Sequence, residues 1–146
     1  MQVRDIMTPD PAYCAPETNL QEIARMMADH DCGEIPVLDA SNRPLGVVTD
    51  RDIACRAVAQ GKDPKQTAAR DVMSRPAVTV RPGDILTDCR EKMEQNQIRR
   101  VPVVDENGAC CGMVSQADIA RAASEHEIAE LLRDVSQPSN EASRAS

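Results

Sequence analysis

Two short stretches carry the residue types best suited to chemistry: Thr49-Asp50-Arg51-Asp52 and Ser115-Gln116-Ala117-Asp118. In each, a hydroxyl residue is followed three positions later by a carboxylate, directly after the apolar runs Gly46-Val47-Val48 and Gly112-Met113-Val114. The apolar run reads as a strand, and the residues that follow it, through Ile53 or Ile119, read as a helix. Hydroxyl and carboxylate then stand at a helix N-terminus, where backbone N–H groups point outward, a combination able to grip a sugar and a phosphate. The same spacing suits a capping box, in which the two side chains serve only to satisfy free amides. The residues alone leave both readings open.

The elements that must position these motifs also occur twice. Asp5-Ile6-Met7-Thr8 matches Asp71-Val72-Met73-Ser74, and Pro16, Leu20, Met27, Pro36-Val37, Gly46 and Asp52 match Pro82, Leu86, Met93, Pro102-Val103, Gly112 and Asp118, all at an offset of 66 residues. A constant offset over that span marks a tandem duplication. In the first copy, Val3 to Met7 reads as a helical turn and Pro11 to Cys14 as a brief strand. Leu20, Ile23, Ala24 and Met27 make one apolar face of a helix, with Asn19 as a capping choice and Gly33 suited to its exit. Glu34 to Asp39 and Leu45 to Thr49 read as a hairpin joined by a polar turn. A helix from Asp50 then buries Ile53, Ala54, Ala57 and Val58. The second copy repeats the order: Val78 to Val80 as a strand, a helix capped by Asp84, a hairpin of Arg100 to Asp105 and Cys110 to Ser115, and a helix from Gln116.

The expected fold class is therefore α+β, with two β-α-β-β-α units packed face to face around a pseudo-two-fold axis. Expected boundaries are 1–61 for the first repeat, 62–68 for a linker, 69–124 for the second repeat, 125–136 for a further amphipathic helix and 137–146 for a disordered tail rich in Ser, Asn and Ala. A copy of this size buries too little surface to stand alone, which is why the two should share a core.

Composition narrows the function. The chain has 146 residues with a formal net charge of -7, which repels phosphate backbones and counts against a general nucleic-acid binder. It has no Trp, no Phe and only Tyr13 among aromatics, so rows of stacked rings cannot be its means of recognition. Met1 to Met7 lacks the uninterrupted apolar core of a signal peptide, and no long apolar run suggests a membrane span, so a soluble cytoplasmic protein is expected. Six cysteines without a secretory signal do not imply a disulfide framework.

The doubled Asp-x-Met-Thr/Ser opening, the apolar-Pro-Val-apolar-Asp strands (Ile35 to Asp39, Val101 to Asp105) and the Gly-x-Val-Thr/Ser-x-x-Asp-Ile segments resemble those of tandem cystathionine-beta-synthase (CBS) domains, the paired regulatory unit called a Bateman module. The resemblance covers about residues 2 to 124, in the manner of stand-alone bacterial CBS pairs. It implies two clefts that take adenosine-containing ligands as regulators: AMP or ATP ahead of NAD, with ADP and S-adenosylmethionine in the same class. It implies that the motif acid holds the ribose hydroxyls and the motif hydroxyl the ribose or phosphate. Carried over residue by residue, one cleft combines Val47, Thr49 and Asp52 with Val78, Ile98, Arg99 and Arg100. The other combines Met113, Ser115 and Asp118 with Tyr13, Cys32 and Gly33. Arg99 and Arg100 favour phosphate in the first cleft, whereas Glu34, the counterpart of Arg100, disfavours it in the second.

No nucleophile elbow, zinc-protease, dinucleotide-binding or Walker pattern is present, so no enzyme activity and no catalytic residue are expected. Cys110 and Cys111 are adjacent on a strand and should point to opposite faces. His30-Asp31-Cys32 offers two metal ligands where zinc needs four, so no metal site is assigned. The expected protein is a homodimeric adenine-nucleotide sensor acting on an unidentified protein target. The alternative is a ligand-free, stress-linked interaction protein regulated through cysteine redox chemistry or metal.

Overall fold

A computed structural model describes residues 1–135. After a single 3-10 turn at Val3–Asp5, the elements are β1 (Thr8–Pro9), α1 (Leu20–His30), β2 (Glu34–Leu38), β3 (Pro44–Thr49), α2 (Asp50–Asp52, running on as a π-helical stretch Ile53–Val58), α3 (Ala69–Val72), α4 (Leu86–Asn96), β4 (Arg100–Val104), β5 (Cys110–Ser115) and α5 (Gln116–Val135). β2 and β3 form one antiparallel hairpin, with Glu34 opposite Thr49. β4 and β5 form the other, with Arg100 opposite Ser115, and each hairpin slips register near its turn. The expected first strands of the copies reduce to single parallel bridges, Cys14 with Val37 and Val80 with Val103.

The duplication is visible bond by bond. Cys14 N–H donates to Pro36 O at 3.0 Å as Val80 N–H does to Pro102 O at 3.1 Å. Asp50 N–H donates to Gly33 O at 2.9 Å as Gln116 N–H does to Arg99 O at 2.8 Å. These pairs are the backbone signature of the pseudo-two-fold arrangement.

The opening turn of each copy, however, packs into the other copy. Val3 lies in a core with Val80, Cys89, Met93, Val101, Val103 and Val114. Ala69, Val72 and Met73 lie in a core with Leu20, Ile23, Ile35, Val37 and Val48. Thr8 of β1 pairs with Met113 of β5, and Ser74 bridges Val47 of β3. Gly46 and Gly112 sit where these strands meet: a Cβ on Gly46 would come within 2.5 Å of Ser74 O, and one on Gly112 within 2.8 Å of Met7 Sδ and 3.1 Å of Thr8 O. The exchange makes each half's core depend on the other half's chain, and buries apolar side chains that a lone copy would expose.

Several local expectations change. α1 is capped by Asn19, whose Oδ1 accepts from Glu22 N–H at 2.9 Å, but its exit is Asp31 in the left-handed region (φ 48°), not Gly33. Gly33 lies instead against the Asp50 side chain, and a Cβ there would sit 2.9 Å from Asp50 Oδ2. Asp84 does not cap α4; its carboxylate closes the preceding turn by accepting from Arg81 N–H at 2.9 Å, and α4 starts after Ile85 with no side-chain cap. The π-helical widening at Ile53–Val58 rotates the later residues off the expected face, so Ala57 is buried while Ala54 and Val58 are exposed. Cys110 and Cys111 are both half-buried, Cys111 packing against the second core while Cys110 lines a surface hollow, next to the register slip at Val103 and Val104. The helix from Gln116 and the further amphipathic segment are one continuous α5, with Ile128, Leu131 and Leu132 exposed. The tail expected from 137 lies outside the described residues.

Candidate functional site

The two motifs fold as capping boxes at the starts of α2 and α5. Asp52 N–H donates to Thr49 Oγ1 and Thr49 N–H to Asp52 Oδ2, each at 3.0 Å. Asp118 N–H donates to Ser115 Oγ and Ser115 N–H to Asp118 Oδ2, again each at 3.0 Å. Each strand therefore delivers its hydroxyl residue to the helix entrance, and the acid turns back on it.

Beyond the cap the two acids differ. Asp52 is buried and accepts from Ser74 Oγ at both carboxylate oxygens, 3.0 Å to Oδ1 and 3.1 Å to Oδ2, with Arg56 Nε 3.7 Å from Oδ1. Arg56 also donates to the carbonyls of Val72 and Met73 at 3.2 Å each, tying α2 to the turn that carries Ser74. Asp118 is more open and pairs with Arg121 at 3.6 Å. Sequence reasoning assigned no site role to Ser74 or Arg56. The only available signal was the position of Ser74 at the end of the repeated Asp-x-Met-Ser segment.

One cleft of about 1040 Å3 lies between the copies and receives both helix starts. From the first predicted cleft it takes Thr49, Asp52, Ile98, Arg99 and Arg100; from the second it takes Gly33 and Ser115. Glu34, Asp50, Arg51, Cys55, Arg56, Ser74, Gln97, Gln116 and Ala117 complete its wall. Val47, Val78, Cys32, Met113 and Asp118 are not on this wall. Tyr13 is exposed and lines a separate hollow of about 210 Å3 with Asp10, Pro11, Leu38, Asn42 and Cys110.

Glu34 and Arg100, expected on different clefts, share this one. Glu34 is only 7% exposed. Burial pushes its carboxyl up to about 7, against the opposing pull of the Arg100 guanidinium, while the charge of Asp52 adds to the rise. Its Oε2 is buried without a hydrogen-bond partner. Among the cysteines, burial pushes the Cys14 thiol up to about 12, and Cys89, Cys110 and Cys111 are also raised by burial. That makes these four poor nucleophiles. Among the described residues no group of three or more His, Cys, Asp or Glu side chains is placed to hold a metal, and no helix is long and apolar enough to cross a membrane.

A doubled strand-helix unit whose two hydroxyl-bearing helix starts face one cleft defines a tandem-repeat module. The CBS domain family model matches residues 3–57 and 69–125, and the chain belongs to that family as a CBS pair, or Bateman module. It is 42% identical over 118 residues to the CBS domain-containing protein YhcV of Bacillus subtilis, covering 81% of this chain and 82% of that one. It is 36% identical over 116 residues to the uncharacterized protein MK0525 of Methanopyrus kandleri, covering 80% of this chain but spanning 57% of that longer relative. Among solved structures, Hypoxic Response Protein I, with two coordinated zinc ions, superposes with a TM-score of 0.77 at 33% identity over 83% of this chain and 98% of that one. The CBS pair of protein MJ0100, in complex with 5′-methylthioadenosine and S-adenosyl-L-methionine, gives 0.76 at 28% identity over 84% and 98%. CBSX2 in complex with AMP gives 0.75 at 25% identity over 86% and 98%.

Proposed function

We propose that this chain is a regulatory module that binds an adenosine-containing ligand in the cleft between its two CBS repeats and catalyses nothing. The observation that carries the reading is the meeting of both hydroxyl-bearing helix starts, Thr49 and Ser115, with Asp52, Arg99 and Arg100 around one cleft. The hydroxyls of the helix starts suit a sugar, and the arginines suit an anion. The adenosine ligands bound by the MJ0100 pair and by CBSX2 support the same class.

The mechanism is linkage. A ligand that prefers one arrangement of the two repeats shifts the population towards it and changes the surface offered to a protein target. The apolar face of α5, where Ile128, Leu131 and Leu132 are exposed, suits assembly as a homodimer. Thermal unfolding with AMP, ATP, NAD and S-adenosylmethionine tests the reading. The expected result is a melting temperature that climbs with the concentration of at least one of them. No shift with any of the four at millimolar concentration overturns it.

One observation favours the second reading, a ligand-free interaction protein. The Asp52 carboxylate is already engaged by Ser74, by the cap and by Arg56, so a ribose must share or displace those partners. The same titration separates the two readings.

A further inference from the structure

Resting on the reading that the cleft takes an adenosine ligand, we propose that Glu34 and Arg100 select that ligand by its 5′ substituent, favouring a zwitterionic amino acid over a phosphate. Glu34 opens β2 and Arg100 opens β4 at equivalent points of the duplication, so the pseudo-two-fold axis sets opposite charges on one cleft wall. Glu34 lines the cleft while only 7% exposed. Its Oε2 is without a hydrogen-bond partner.

Arg100 alone does not compensate this acid. Burial outweighs the guanidinium, and the charge of Asp52 adds to the effect of burial. The wall therefore lacks a donor at Glu34. A phosphate monoester supplies none; seated beside Arg99 and Arg100, it brings further negative charge towards Glu34 and enters only with uptake of a proton. An α-amino acid supplies both missing halves. Its ammonium carries three donors for Glu34, and its carboxylate accepts the fork of Arg100. A buried polar group discriminates mainly by penalty, since the wrong ligand leaves it unpaired.

Calorimetric titration of the full chain at about pH 7.5, where the Glu34 carboxyl is mostly ionised, with S-adenosylmethionine, 5′-methylthioadenosine and AMP tests this. The second compound keeps the adenosine and loses the amino acid. In the native chain S-adenosylmethionine is expected to bind roughly tenfold more tightly than either of the others, the equivalent of one charge-assisted hydrogen bond. Glu34→Gln, a neutral replacement of the same shape, should erase most of that preference and tighten AMP. Arg100→Gln should weaken S-adenosylmethionine while leaving 5′-methylthioadenosine unchanged. AMP binding more tightly than S-adenosylmethionine in the native chain, or an unchanged affinity ratio in Glu34→Gln, overturns the selection while leaving the sensor reading intact. If none of the three binds, both fall together.

Discussion

Asp52 and Asp118 occupy the same position in two copies of one motif and close the same capping box with the same 3.0 Å bonds, yet they do not live in the same surroundings. Asp52 is held by a third residue, Ser74, which reaches it from the opening segment of the other copy. The counterpart of Ser74 is Thr8, which is exposed in β1. The duplication has kept what the backbone needs, a satisfied helix entrance, and has let the cross-copy contacts diverge. Glu34 against Arg100 and Gly46 against Gly112 show the same division between a shared frame and unequal neighbours. Each pair offers a measurement that breaks or sharpens the comparison.

The largest difference is expected at Glu34, a buried acid whose counterpart is an arginine. The folded carboxyl sits near 7 against an ordinary value of 4.5, so the folded state binds a proton more readily than the unfolded state does. The contribution of this group is fully present below the unfolded value and is lost as pH rises through the folded one. Relative to Glu34→Gln, the native chain should lose about 3 kcal/mol of stability between pH 4.5 and 8. Denaturant titrations of both chains across that range check it, and parallel curves would show that Glu34 is not strained by burial.

At the glycines the test is steric. A Cβ on Gly46 meets a backbone carbonyl, Ser74 O, at 2.5 Å, whereas one on Gly112 first meets the flexible end of Met7. Gly46→Ala should cost about 2–3 kcal/mol, the range of overpacked sites, and Gly112→Ala about 1 kcal/mol. Equal losses in chemical denaturation would mean that the two crossings are equally rigid.

How much of this was legible in the sequence depends on range. The duplication, the hairpins and the capping boxes rest on spacing over a few residues, and Thr49 with Asp52 and Ser115 with Asp118 stand as spacing alone predicts. The exchange of opening turns was not legible. Asp5 to Thr8 looks like the start of its own copy, and only three-dimensional packing sends Val3 into the other core. Glu34 and Arg100 are expected on different clefts from the repeat alone, whereas the two wall one cleft. Val58 and Ala54 defeated the periodicity argument because a π-helical stretch breaks the 3.6-residue repeat on which that argument depends. Ile128, Leu131 and Leu132 of α5 follow the pattern of a buried face, and a single chain does not bury them.

The smallest difference, and the one that bears most directly on the two motifs, is between removing the acids themselves. Asp52→Ala takes the acceptor from Thr49 N–H while leaving the Thr49 cap itself, leaves the Ser74 hydroxyl without its acceptor and strips Arg56 of its carboxylate. Asp118→Ala takes the acceptor from Ser115 N–H and a solvent-screened contact with Arg121. A lost hydrogen bond of the box costs about 1 kcal/mol, and an unsatisfied, partly buried hydroxyl adds about another, so the expected losses are about 2 kcal/mol for Asp52 and about 1 kcal/mol for Asp118. The double variant Asp52→Ala with Ser74→Ala isolates the cross-copy contact. Removing both partners should restore part of what the single Asp52 change loses, because no orphaned hydroxyl remains. If the double variant is instead as unstable as the sum of the two single ones, the Ser74 bond carries no coupling. The two motifs would then differ only in burial, and the unequal neighbours of Asp52 and Asp118 would have no energetic meaning.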